Sequence, residues 1–173
     1  YLVSKESRNK FILELCNNIS GNTLCLFQLV EKHGKILYDG MKEKKNVYFV
    51  YGGTDTEQRE KIRGLVEGHK NSTTIASYGT FSTGINIRNI HNIVLASPSK
   101  SKIRVLQSIG RGLRTSSTKD SILIFDISDD VSYRGQRNFT LTRFLERLNI
   151  YNEQQFNYEI SKVRIKLIRK SDC

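Results

Sequence analysis

The segment Gln107-Ser-Ile-Gly-Arg-Gly-Leu-Arg114 carries residue types suited to handling a polyanion. On a helix, Gln107, Arg111 and Arg114 fall at i, i+4 and i+7 and share one face. Leu106, Ile109 and Leu113 form a separate apolar stripe. Gly110 lies between the two, where a missing side chain admits another backbone or a ligand. Two guanidinium groups a helical turn apart offer planar, fork-like donors that match a triphosphate. The plain alternative is a surface helix with two solvated arginines. The Gln, the Gly and both arginines arriving together after a strand–loop–helix start weigh against it.

Other stretches invite chemistry of a related kind. Residues 77–86, Ser-Tyr-Gly-Thr-Phe-Ser-Thr-Gly-Ile-Asn, follow an apolar run with a dense set of small and hydroxyl side chains. Such residues let backbone N–H groups approach a phosphate and add hydroxyl donors, although an ordinary polar turn has the same composition. Gly53 and Thr54, ahead of Arg59, either bring backbone near a phosphate or simply begin a helix. Asp126, Asp129 and Asp130 would suit a hard cation, but they are read as capping a strand end and balancing nearby arginines, with no metal assigned. His33 is read as a structural hydrogen-bonding residue. Neither a Ser/His/Asp nor a Cys/His set stands in recognisable context. A phosphate loop requires Gly-x-x-x-x-Gly-Lys-Ser/Thr, and His33-Gly-Lys-Ile36 does not supply it. A strand-end Asp-Glu pair for Mg²⁺ is missing as well. The chain by itself therefore lacks the residues to hold nucleotide phosphates and Mg²⁺.

The elements that must position these residues are legible as alternating runs. Helices are expected over 4–19, with Ser4 as N-cap and Phe11, Ile12 and Leu15 inward, over Val30–Lys44 with Val30, Leu37 and Met41 inward, and over Thr56–Glu67. Apolar runs at Thr23–Phe27, Asn46–Tyr51, Thr73–Ser77, Asn92–Ala96 and Ser121–Asp126 read as buried strands, with the arginine helix starting near Ser101. Strands alternating with helices imply an α/β fold, a mostly parallel sheet covered on both faces, whose ligands gather at the carboxyl ends of the strands. A further helix is expected over Arg134–Leu148 and a shorter one over Asn152–Tyr158. The alternating tail Lys162–Lys170 reads as an edge strand or a basic arm.

Totals narrow the partners. Lys and Arg number 28 against 17 Asp and Glu, a net charge of +11, and the isoelectric point is about 9.7. Such an excess points to nucleic acid first and an anionic membrane surface second. The basic tail alternates residue by residue, so it lacks the one-sided apolar helix face that lies on a membrane surface. The longest apolar runs fall short of a membrane span. Cys16, Cys25 and Cys173 have no zinc spacing and fit a reducing, cytoplasmic setting. The chain opens on Tyr1 rather than Met, which reads as a fragment or a cut domain.

Segment 107–114 resembles motif VI of superfamily 2 helicases, Gln-x-x-Gly-Arg-x-x-Arg, matched at Gln107, Gly110, Arg111 and Arg114. Ser108 departs from it, since many members carry a further Arg there. Residues 77–86 resemble motif V, with Gly84 and Asn86 at its Gly-x-Asp/Asn, and Ile93–Lys100 the strand and loop that follow. Tyr51–Thr54 with Arg59 resembles motif IVa, and Thr23–Phe27 with Gln28 and His33 resembles motif IV. The resemblance covers roughly residues 4–130 in the family's order.

It implies the second of two RecA-like domains. Arg111 and Arg114 would reach the γ-phosphate of ATP, with Gln107 orienting them. Gly84, Asn86 and Gly110 would meet the nucleotide, and ATP and Mg²⁺ would be held mainly by an N-terminal RecA-like domain. Gly53, Thr54, Thr80, Ser82, Thr83 and Lys100 would contact a nucleic-acid backbone. Residues 134–160 resemble the helical extension of phage and bacterial helicases that remodel branched DNA. This implies a division into 1–131 and 132–173, with Arg143 and Arg147 gripping DNA and the whole acting on branched DNA or RNA–DNA hybrids in recombination, repair and replication. A non-catalytic nucleic-acid binding module is the rival. A dinucleotide enzyme is disfavoured because Gly-x-Gly-x-x-Gly does not follow the first strand.

Overall fold

The computed structural model describes residues 2–44, 46–82, 89–97, 121–132 and 138–165, without the side chains of 81 and 82. Five strands form one sheet: β1 (Thr23–Phe27), β2 (Val47–Val50), β3 (Thr73–Ser77), β4 (Asn92–Leu95) and β5 (Leu123–Asp126). Their order is β2-β3-β1-β4-β5, and every pairing is parallel. β1 lies at the centre, and all its residues are buried, as expected of a strand covered on both faces. Leu24 and Leu26 join one apolar cluster, whereas Cys25 and Phe27 join the other, following the two-residue pleat.

Helices cover both faces. α1 (Glu6–Asn18) and α2 (Lys35–Asp39) pack Ile12, Cys16 and Leu37 on one side. On the other, α3 (Thr56–Gly68) and α5 (Phe139–Glu153) pack Ile62, Val66 and Tyr151. A short α4 (Tyr78–Ser82) follows β3 directly. The fold is thus the expected α/β sandwich of helix, sheet and helix.

Boundaries depart from the sequence expectations for local reasons. Ser4 is not the cap of α1. It closes a tight turn, Leu2–Ser4, in which the Lys5 N–H bonds to Leu2 O at 3.1 Å, so Lys5 takes the N-cap position. The expected Val30–Lys44 helix opens with a wider first turn and stops early. A wide turn, Val30–Gly34, carries a Gly34 N–H to Leu29 O bond of 2.9 Å, and α2 stops at Gly40. Gly34 is required there because a Cβ would stand 2.5 Å from the Phe27 ring. Asp55 caps α3 by accepting the Gln58 N–H at 2.7 Å.

α5 begins at Phe139, after Asn138, and runs through Asn152 to Glu153, so the described residues hold no separate helix over Asn152–Tyr158. It ends in a turn at Gln155, whose φ is 56°. Lys162–Ile165 form neither helix nor strand, and the rest of the tail, expected as an edge strand or a basic arm, lies outside the described residues. Among the described residues no helix is long and apolar enough to cross a membrane.

Candidate functional site

Because the sheet is parallel, its five strand ends open onto one edge, where ligands of such sheets collect. The residues at this edge divide into those that build the loops and those with groups to offer. Ser77 ends β3, and its hydroxyl oxygen accepts the Thr80 N–H at 3.3 Å, capping α4, while the two hydroxyls pair at 2.6 Å. Thr80, expected on a phosphate, is only 3% exposed and holds this turn together. Ser82 is the last residue of α4. Its side chain lies outside the described residues, as do Thr83, Gly84, Asn86, Lys100, Gln107, Gly110, Arg111 and Arg114.

The loop after β2 is built in the same manner. The Thr54 hydroxyl is buried and accepts the Tyr51 N–H at 3.1 Å. Arg59 donates to Thr54 O at 2.8 Å and to Gly52 O at 3.2 Å, so its guanidinium folds over the turn's carbonyls. Gly53 is exposed, and a Cβ there would meet the Tyr51 ring at 2.6 Å. Of this pair, backbone at Gly53 is what the loop presents, whereas Thr54 shapes it.

At the end of β4 a knot of buried groups appears that sequence reasoning only partly found. Ser97 Oγ accepts the Gln28 N–H at 3.0 Å and sits 2.7 Å from His33 Nδ1. The Tyr78 hydroxyl donates to Ser97 O at 3.2 Å. Arg8, 3% exposed, donates to Ala96 O and to Asp129 Oδ1, each at 2.7 Å. Burial, reinforced by the Arg8 charge, pulls the His33 pKa down to about 4, so the ring is neutral at pH 7. His33 is the structural residue expected of it. Arg8 was missed, although its spacing with Ile12 and Cys16 on α1 is the signal of an inward face.

Asp126, at the end of β5, and Asp129 are paired with arginines, whereas Asp130 accepts the Ser132 N–H at 3.0 Å. Asp126 accepts Arg147 Nε at 2.5 Å and Arg147 Nη2 at 3.1 Å, and also takes the Tyr151 hydroxyl at 2.6 Å. Arg147 adds a bond to Ser128 Oγ at 2.5 Å. At 3% exposure, Arg147 locks α5 to the end of β5, and its fork is not turned to a nucleic acid as expected. Burial and the Asp126 charge together raise the Tyr151 phenol pKa. Arg143 is half-buried: it bonds Glu146 at 2.6 Å and lies 4.9 Å over the Phe139 ring. Asp126 and Asp129 are thus committed to guanidinium groups, a donor set that does not fit Mg²⁺. Among the described residues, no cluster of three His, Cys, Asp or Glu side chains could hold a metal.

A five-stranded parallel sheet between two helical layers, with its functional loops on the carboxyl edge, is the RecA-like fold of a helicase C-terminal domain. The chain belongs to the helicase conserved C-terminal domain family, whose model matches residues 7–116. It is 36% identical over 172 residues to the ATP-dependent DNA helicase uvsW of Enterobacteria phage T4, covering 91% of this chain and 34% of that protein. The crystal structure of T4 UvsW matches with a TM-score of 0.79 at 36% identity over 94% of this chain and 35% of that one. A putative ATP-dependent helicase of Saccharomyces cerevisiae is 33% identical over 103 residues, or 58% of this chain and 15% of the relative. The C-terminal part of the Fun30 ATPase domain shares the fold, with a TM-score of 0.53 at 14% identity over 87% of this chain and 55% of that one. The chain spans about a third of the length of the T4 relative.

Proposed function

We propose that this chain is the second RecA-like half of an ATP-dependent DNA helicase or translocase. The observation that carries the reading is the family match over residues 7–116, which encompasses the Gln107–Arg114 segment. Identity of 36% to a phage ATP-dependent DNA helicase over 91% of this chain supports it, and so does a net charge of +11.

ATP is the substrate, held together with Mg²⁺ mainly by an N-terminal RecA-like domain of the same protein. Closure of the cleft between the domains brings Arg111 and Arg114 to the γ-phosphate and stabilises transition-state charge, while Gln107 orients them. In analogous enzymes such arginines are worth roughly 10³–10⁵ in rate. Gly84, Asn86 and Gly110 let backbone and an amide approach the nucleotide. The Gly53 backbone, Ser82, Thr83 and Lys100 follow a strand's phosphates, with Thr54 shaping the loop after β2 and Thr80 the turn after β3. Residues 1–131 form the motor half, and 132–173 an extension that adds basic surface through Arg143. Backbone contact makes binding largely independent of sequence and sensitive to salt. Branched DNA and RNA–DNA loops are the proposed substrates, in the cytoplasm and in the service of recombination, repair and replication.

The test is DNA-stimulated ATP hydrolysis by the full-length protein, wild type against Arg114→Ala, with ATP and DNA affinities measured alongside. A loss of turnover of roughly a hundredfold or more with both affinities nearly intact is expected of an arginine finger. Unchanged turnover, or a loss explained by weaker DNA binding, would leave a non-catalytic binding module.

A further inference from the structure

Phe139 opens α5, yet 64% of it is exposed, whereas Phe27, Tyr78 and Tyr151 are buried. One side of the ring is covered by Arg143, whose guanidinium lies 4.9 Å from the centroid. Arg143 is itself held in place by Glu146 at 2.6 Å. The start of the helix is fixed too. Asn138 Nδ2 donates to Asp129 O at 3.0 Å, and Asn138 Oδ1 accepts the Val131 N–H at 3.3 Å. Val131, beside it, is 54% exposed. Asp130 in the same loop is kept below the usual carboxylate range first by the Ser132 hydroxyl and amide, and further by Lys162.

An aromatic ring backed by a guanidinium and left open to water has the chemistry that receives a nucleobase. Bases stack on aromatic and guanidinium planes whatever their identity. We propose that Phe139 and Arg143 form a stacking platform for an unpaired base of DNA. The charge of this chain, +11, favours that occupant over an apolar protein segment. The proposal rests on the DNA-binding part of the reading above and not on its motor part. It assigns a base contact, where that reading invoked only the backbone.

The experiment is DNA binding by the full-length protein without ATP, using a single-stranded oligonucleotide with a fluorescent purine analogue and a blunt duplex of the same sequence. Phe139→Ala and Phe139→Leu are expected to weaken single-strand binding roughly five- to a hundredfold and to remove the stacking quench. Phe139→Trp should retain both. Duplex affinity and the salt slope should stay at wild-type values, because no phosphate contact is lost. Phe139→Leu matching wild type on the single strand, or an equal loss on the duplex, would overturn the platform. A wild type that binds neither DNA would overturn the platform and the DNA reading together. A failed Arg114→Ala test with these results intact would remove the motor alone.

Discussion

Arg147 illustrates how little a residue's type says about its task. Its charge, among four arginines on one amphipathic stretch, predicts contact with a polyanion. Instead its guanidinium grips Asp126 with two bonds, and Tyr151 completes the carboxylate's shell. The Asp126 side chain is 9% exposed, so removing the arginine would strand a buried charge. Arg147→Ala is therefore expected to cost about 3–5 kcal/mol, and the double variant Asp126→Leu/Arg147→Met to regain most of it. Urea unfolding of the three proteins checks this, and a single-variant loss below about 1 kcal/mol would show that the pair is not the strut described. Asp129 is tied to Arg8 by a single bond from Nε at 2.7 Å. Sequence reads the acidic residues as partners of arginine rather than of a metal, and Asp126 and Asp129 are found so paired.

At the scale of elements, strands are the most legible, because an apolar run bounded by polar turns has few other uses. β1 and β3 match their expected limits to the residue. Helix ends are less so, since they depend on contacts from outside the helix. The wide turn at Gly34 is the clearest case: Val30 to Lys44 reads as one regular helix, yet Gly34 lies against Phe27, whose ring stacks on Phe49 at 5.6 Å. The ring is fully buried and its neighbours leave it nowhere to go. Gly34→Ala should therefore strain the wide turn and lower stability by about 1–3 kcal/mol, measured by thermal or urea unfolding. A neutral result would mean that the Phe27 ring can yield. The same turn carries His33 to Ser97, so the element connects the core to the functional edge.

For the whole molecule, division of labour is the main consequence of the proposed function. This chain alone, 1–173, is expected to bind DNA with an affinity that falls as salt rises, and to show no DNA-stimulated ATP hydrolysis. Turnover by the isolated chain at the rate of the full-length protein would rule out the two-domain motor. The sequence by itself determined the α/β class and the number of parallel strands, because hydrophobic period and run length are local properties. Motif order also carried the family, since Gln107, Gly110, Arg111 and Arg114 stand at spacings that few other folds require. Only the tertiary structure decided that β1 is central, between β3 and β4, because strand order is set by which faces meet and not by any one segment. It alone divided the polar residues at the carboxyl edge into struts and offered groups. Thr54, Thr80 and Arg147 are buried, and the Gly53 backbone is left open. Burial is a property of the neighbours that a side chain acquires on folding, and for Arg147 the decisive one, Asp126, lies 21 residues away.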